Sequence, residues 1–166
     1  MKPLDKVNRI IIHCSDSSFG DAKLIDKWHR ARPKPFEMIG YHFVILNGCR
    51  RSAILPKEKR HPYNEKVDGL VESGRPCDKQ GAHVYGRNSD SLAICLIGIH
   101  HFSDKQLLGA LPRLLLALMK RYGIPINMIQ GHGEFYKNKT CPNINMARVR
   151  DMLRMNMAAN LIKGVL

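Results

Sequence analysis

The chain has 166 residues, 44% of them hydrophobic and 25% charged, which is the composition of one globular domain able to bury a core without staples. Twenty-seven Lys and Arg against 14 Asp and Glu leave a formal charge of +13, and this points to a polyanionic partner: nucleic acid, a membrane surface or an anionic cell wall. No apolar run reaches the length of a membrane span, the opening MKPLDKVNRI lacks the apolar stretch of a secretory leader, and five dispersed cysteines without a CxxC spacing argue against a disulfide framework or a zinc ribbon.

Taken in chain order, Asn8 to Cys14 (NRIIIHC) is a β-branched run that predicts a central strand ending in the polar turn SDSSFGD. Cys14 on this strand and Cys95 further along read as small buried hydrophobes on opposite faces. Asp21 is placed to cap a helix whose apolar stripe is Leu24, Ile25, Trp28 and Ala31, and His29 beside that stripe reads as a surface or capping group. Tyr41 to Leu46 and Asp68 to Ser73 predict the arms of an antiparallel hairpin, with His42 a structural residue on the face opposite Tyr41. Between the arms, residues 49–67 form a long basic excursion. From Arg50 to Lys66 it holds six Lys or Arg against two Glu, so it is either a contact surface for an anionic partner or a solvated loop.

SLAICLIG, from Ser91 to Gly98, is another buried strand. Ser103 and Gln106 form a capping box ahead of a helix spaced on Leu107, Leu111, Leu114, Leu118 and Tyr122, which Gly123 ends. Pro112 inside that pattern predicts a kink or a locally unpaired carbonyl near Leu108. Ile126 to His132 reads as a short strand delivering His132, and Asn145 to about Ala159 as a surface helix. Alternating strands and helices give a single α/β domain over residues 1–166.

GHGEFYKNKTCP places His132 and Cys141 nine positions apart around a short basic loop. A catalytic zinc takes three protein ligands and keeps its fourth position for water or substrate. His13 is the best third candidate, because it ends a predicted strand where a rigid scaffold can present a ligand. Spacing alone leaves the plainer reading open, in which His13 is a satisfied core histidine and Cys141 a buried thiol beside Pro142.

Four blocks occur in order between about Asn8 and Leu153: IIIHCS, WHRAR…IGYHFVI, ESGRP…GAHVYGRNSDSLAICLIG and GHGEFYKNKTCP. Together they resemble the type 2 N-acetylmuramoyl-L-alanine amidases, which include short zinc amidases of tailed phages and share a fold with peptidoglycan recognition proteins. The resemblance implies a mixed central sheet flanked by helices, and Zn2+-dependent hydrolysis of the amide between N-acetylmuramic acid and the L-alanine of peptidoglycan. It implies that His13, His132 and Cys141 hold the zinc and that Tyr41 sits beside the metal-bound water. Lys139 would face the scissile carbonyl, with Lys137 as the alternative, and His83 would line the substrate cleft. The expected protein is a monomer that accumulates in a host cytoplasm and acts as a phage endolysin once released to the wall. Two other classes stay in view. One is a peptidoglycan-binding module without hydrolysis, a branch that typically lacks the ligand cysteine present here as Cys141. The other is a nucleic-acid- or polymerase-binding protein, for which the charge speaks but the 7% aromatic content and the absence of any zinc-finger pattern do not.

Overall fold

The computed structural model describes residues 1–4, 6–50 and 62–163. Its strands are β1 (Arg9–Cys14), β2 (Phe43–Asn47), β3 (Asp68–Ser73), β4 (Ser91–Leu96) and β5 (Ile129–Gly131). They form one sheet in the order β3-β2-β4-β1-β5. Pairings of β1 with β4, β1 with β5 and β2 with β4 are parallel, and β2 with β3 is antiparallel, so the sheet is mixed as expected. Of the basic excursion, residues 51–61 lie outside the described residues. Its base is anchored by Arg50, which pairs with Asp21 at 3.2 Å and Glu72 at 2.6 Å.

Helix α1 (Ala22–Arg30) covers one face of the sheet, and α2 (Leu111–Tyr122) and α3 (Met146–Lys163) cover the other. Strand alternation sorts the core accordingly. Ile10, Ile12, Ile45, Ile94 and Leu96 meet α2 and α3, whereas Val44, Leu46, Cys95 and Ile97 meet Ile25 and the Ile39 loop. The interior strands read as continuous apolar runs because both faces are covered. Each fully buried isoleucine or leucine contributes about 1.5–3 kcal/mol of transfer free energy.

Local signals explain the helix ends. Asp21 caps α1 by accepting from the Leu24 N–H at 2.8 Å, and Gly123 closes α2 at φ 65°, a left-handed conformation that glycine adopts without Cβ strain. The capping box forms in both directions: Gln106 N–H donates to Ser103 Oγ at 3.1 Å, and Ser103 N–H donates to Gln106 Oε1 at 3.0 Å. Gln106 is fully buried and also donates from Nε2 to Ile45 O and Ile97 O, tying the helix start to the sheet.

The irregularity expected near Leu108 is present. Residues Lys105–Ala110 wind as a π-helical segment in which the Leu111 N–H reaches Gln106 O. Pro112 then occupies the first turn of the regular α2, where a missing N–H costs nothing.

Candidate metal centre

Two parallel strands bring the histidines together. Ile12 on β1 is opposite Gly131 on β5, so His13, the next residue of β1, lies beside His132, the residue that follows β5. Their ring centroids are 4.6 Å apart. Cys141 arrives on the loop after a short 3₁₀ turn, His132–Phe135. Glycines make room for that loop. A side chain at Gly131 would meet Pro142 Cδ at 2.8 Å, and one at Gly133 would meet Lys139 O, while Gly133 N–H donates to Cys141 O at 2.6 Å. GHG therefore lets the ligand loop lie flat against the end of β5.

One ligand atom from each of His13, His132 and Cys141 lies within 4.8 Å of the others, so a small inward shift of the side chains would bring all three to a single ion at bonds of about 2.0–2.3 Å. The chemistry of the donors fits zinc: two imidazoles and a sulfur, in a polar cavity of about 510 Å3 that leaves a side open. Cys141 Sγ is 4.0 Å from His13 Nδ1 and accepts a hydrogen bond from the Cys14 N–H at 3.3 Å. Burial lowers the pKa of His13 well below the ordinary range, and that of His132 to about 4, with Lys139 adding to both shifts. Both imidazoles are therefore neutral at pH 7 and keep a lone pair for a cation.

The other nitrogen of His13 is fixed from the opposite side. His13 Nε2 is 3.1 Å from His83 Nδ1, His83 Nε2 is 3.3 Å from Ser91 Oγ, and Ser91 Oγ donates to Arg87 O. Because that series ends on a carbonyl, every proton in it points the same way. His13 Nε2–H donates to His83, His83 Nε2–H donates to Ser91, and His13 Nδ1 is left as the bare nitrogen facing Cys141. His83 thus touches His13 directly and stands half-buried and edge-on against it, at 5.1 Å between centroids.

Tyr41 packs its ring 5.0 Å from that of His13 and lines the cavity. Burial raises the pKa of its hydroxyl well above the usual value, so it remains a hydrogen-bond donor. Arg75 fixes the approach to Tyr41: its buried guanidinium donates to Ile39 O at 2.9 Å and to Met38 O at 3.2 Å, and its N–H donates to Tyr41 O. Lys139 is exposed and lines the same cavity, whereas Lys137 is exposed and does not belong to the lining.

Three residues that sequence reasoning left aside belong here. His29, read as a surface or capping group, lines the cavity, accepts from the Gly40 N–H at 2.9 Å, and is held to a pKa of about 4 by burial and by Arg32. Arg32 lines the cavity too. Cys14 is buried as expected, but its N–H donates to Cys141 Sγ, and the nearby Cys141 thiol brings the Cys14 pKa to about 7 while that of Cys141 is raised. The only signal for His29 and Arg32 was their place in WHRAR, one turn from the end of α1. His42 is structural as read, with Nδ1 accepting from the Ala93 N–H and Nε2 on Lys79 O. A larger groove of about 610 Å3 between α2 and α3 is lined by apolar side chains such as Leu116, Met119 and Leu161, so chemistry rather than size distinguishes the polar cavity.

A mixed sheet that brings a His/His/Cys cluster to one side of an open polar cavity can present a catalytic metal to a substrate. The sequence model described as N-acetylmuramoyl-L-alanine amidase matches residues 3–144, and the chain belongs to that family. An endolysin of Enterobacteria phage K11 is 29% identical over 154 residues, covering 86% of this chain and 85% of the relative. Among solved structures, the amidase LysC from Clostridium intestinale URNW superposes with a TM-score of 0.68 at 22% identity, covering 90% of this chain and 86% of that one. Drosophila PGRP-LB superposes at 0.64 and 21%, with coverages of 90% and 86%. The activity is hydrolysis of the amide that joins N-acetylmuramic acid to the L-alanine of peptidoglycan.

Proposed function

We propose that the protein is a zinc-dependent phage endolysin, with His13, His132 and Cys141 as the metal ligands. The observation that carries this reading is the convergence of those three side chains, 119 and 128 residues from the first to the others, within 4.8 Å at the edge of an open polar cavity. Zinc held there would lower the pKa of a bound water to about 7 and polarise the scissile carbonyl.

The chain's own side chains answer the remaining demands. The neutral histidines and the single thiolate leave a bound dication with net positive charge, which favours both effects. Lys139 offers an ammonium to the oxyanion that develops as the amide carbon becomes tetrahedral, a contribution worth about 10^2–10^3 in rate. Tyr41, kept protonated by its burial, donates a hydrogen bond and orients groups beside the ligands rather than acting as a base. His83 and Ser91 hold His13 in the tautomer that ligation needs. This assigns His83 to the ligand's support rather than to the cleft wall. The excess of basic residues favours approach to an anionic wall.

The test is digestion of purified peptidoglycan followed by mass analysis. Free stem peptides and intact glycan strands are the expected products, formed only when the zinc is present. Shortened glycans, or equal cleavage after chelation, would overturn the reading.

A further inference from the structure

Tyr41 meets His13 from a loop, residues 38–41, that belongs to no strand or helix. Such a loop has no ladder to hold it, so its backbone groups need other partners. Two side chains of α1 take the donors: Ile39 N–H donates to Asp26 Oδ1 at 2.7 Å, and Gly40 N–H to His29 Nδ1 at 2.9 Å. The acceptors go to Arg75, which follows β3 and is buried. Its guanidinium donates to Ile39 O at 2.9 Å and Met38 O at 3.2 Å, and its backbone N–H to Tyr41 O at 2.8 Å. The same guanidinium donates to Gln80 O at 2.5 Å, and Ala82 N–H donates to Gly40 O at 3.1 Å, which ties the loop to the segment carrying His83. Two glycines allow this close fit, since a side chain at Gly40 would meet Ala82 O and one at Gly74 would meet Tyr41 O. Both polar backbone groups of Ile39, and both of Gly40, are therefore taken.

We propose that Asp26 and Arg75 are positioning residues for Tyr41: a carboxylate from one side and a guanidinium from the other clamp the Ile39 backbone and so set the Tyr41 ring, two residues on, against His13. The inference rests on the role given to Tyr41 above. Hydrogen bonds to charged groups are the stronger kind, so the clamp holds the loop more firmly than neutral partners would. Firmness matters because a hydrogen-bond donor helps a reaction only when it is in place beforehand, and a shift of about 1 Å can cost about 10^2-fold in rate. A buried arginine on backbone carbonyls is ordinarily a staple of the fold. The two roles part in one respect. A staple adds the same stability whatever residue 41 is, whereas a clamp loses its kinetic value once the Tyr41 hydroxyl is gone.

The test is a double-mutant cycle on kcat, measured on the full chain with soluble muramyl peptide at saturating Zn2+. Arg75→Lys keeps the charge but not the fork that spans several carbonyls, and should lower kcat about 10–10^2-fold while KM stays within about three-fold. Asp26→Ala, at a partly exposed position, should act in the same direction and serves should the lysine variant not fold. Asp26→Asn, which keeps an oxygen for the Ile39 N–H, should restore most of the loss. Tyr41→Phe should itself lower kcat, and in that background Arg75→Lys and Asp26→Ala should each change it by no more than about two-fold. Losses that simply add to that of Tyr41→Phe would make both residues staples of the fold and overturn the proposal. So would an Asp26→Ala enzyme with the parent's kcat, or an Asp26→Asn enzyme no better than the alanine variant. A Tyr41→Phe enzyme as fast as the parent would remove the role of Tyr41, and this inference with it.

Discussion

His13 on β1 and His42 just ahead of β2 are each 1% exposed, yet only one of them is equipped to bind an ion. His42 spends both ring nitrogens on the backbone, one on the Ala93 N–H at 2.9 Å and the other on Lys79 O at 3.0 Å. His13 spends only Nε2, on His83, and turns Nδ1 toward Cys141 and the cavity. Burial is therefore no mark of a ligand. What separates the two is the lone pair left over when every partner has been counted.

That contrast can be broken most severely at the sulfur. Cys141→Ser should lower kcat/KM by at least about 10^3-fold, the loss of several kcal/mol of Lewis-acid stabilisation, while circular dichroism and the melting temperature of the metal-free protein stay near the parent's. Lysis of cell walls at the parental rate would refute the assignment. Next in size is Lys139→Ala, with kcat reduced about 10^2–10^3-fold at unchanged zinc content, against a change of only a few-fold for Lys137→Ala. Steady-state kinetics on soluble muramyl peptide would separate the two lysines. His83→Ala removes the group that fixes the His13 tautomer and should weaken Zn2+ binding by about 10–100-fold in a chelator competition.

The smallest effect is the one that leaves the metal alone. His42→Phe leaves the buried Ala93 N–H and the part-buried Lys79 O without their side-chain partner and should cost about 1–3 kcal/mol in urea unfolding, with Zn2+ affinity unaltered. The same residue gives a pH signature. Burial lowers its pKa from 6.5 to about 4, so between those values the unfolded chain binds a proton that the folded chain refuses. Stability is complete above about pH 6.5 and declines as pH falls toward 4, and the His42→Phe variant should lose part of that slope in unfolding curves collected across the range.

The scaffold was largely legible because its signals are local. The β-branched run to Cys14, the Asp21 cap, the Ser103 and Gln106 box and the Gly123 stop each fall where the chain suggests. The site was less so. That His13 and His132 meet depends on the pairing of Ile12 with Gly131, a long-range register that no local pattern encodes. His29 was misjudged for the same reason: it lines the cavity only because the Gly40 loop folds over α1. An irregularity near Leu108 was legible from Pro112, but its π-helical form over Lys105–Ala110 was not.

The central claim is that one zinc ion is held by two imidazoles and one thiolate with its fourth position open. X-ray absorption at the zinc edge of the purified protein tests it most directly. The expected spectrum has a single sulfur at about 2.3 Å and three nitrogen or oxygen neighbours at about 2.0–2.1 Å, the third of which is displaced by a substrate analogue. A protein that retains no zinc, or a shell of two sulfurs that no analogue disturbs, would contradict it.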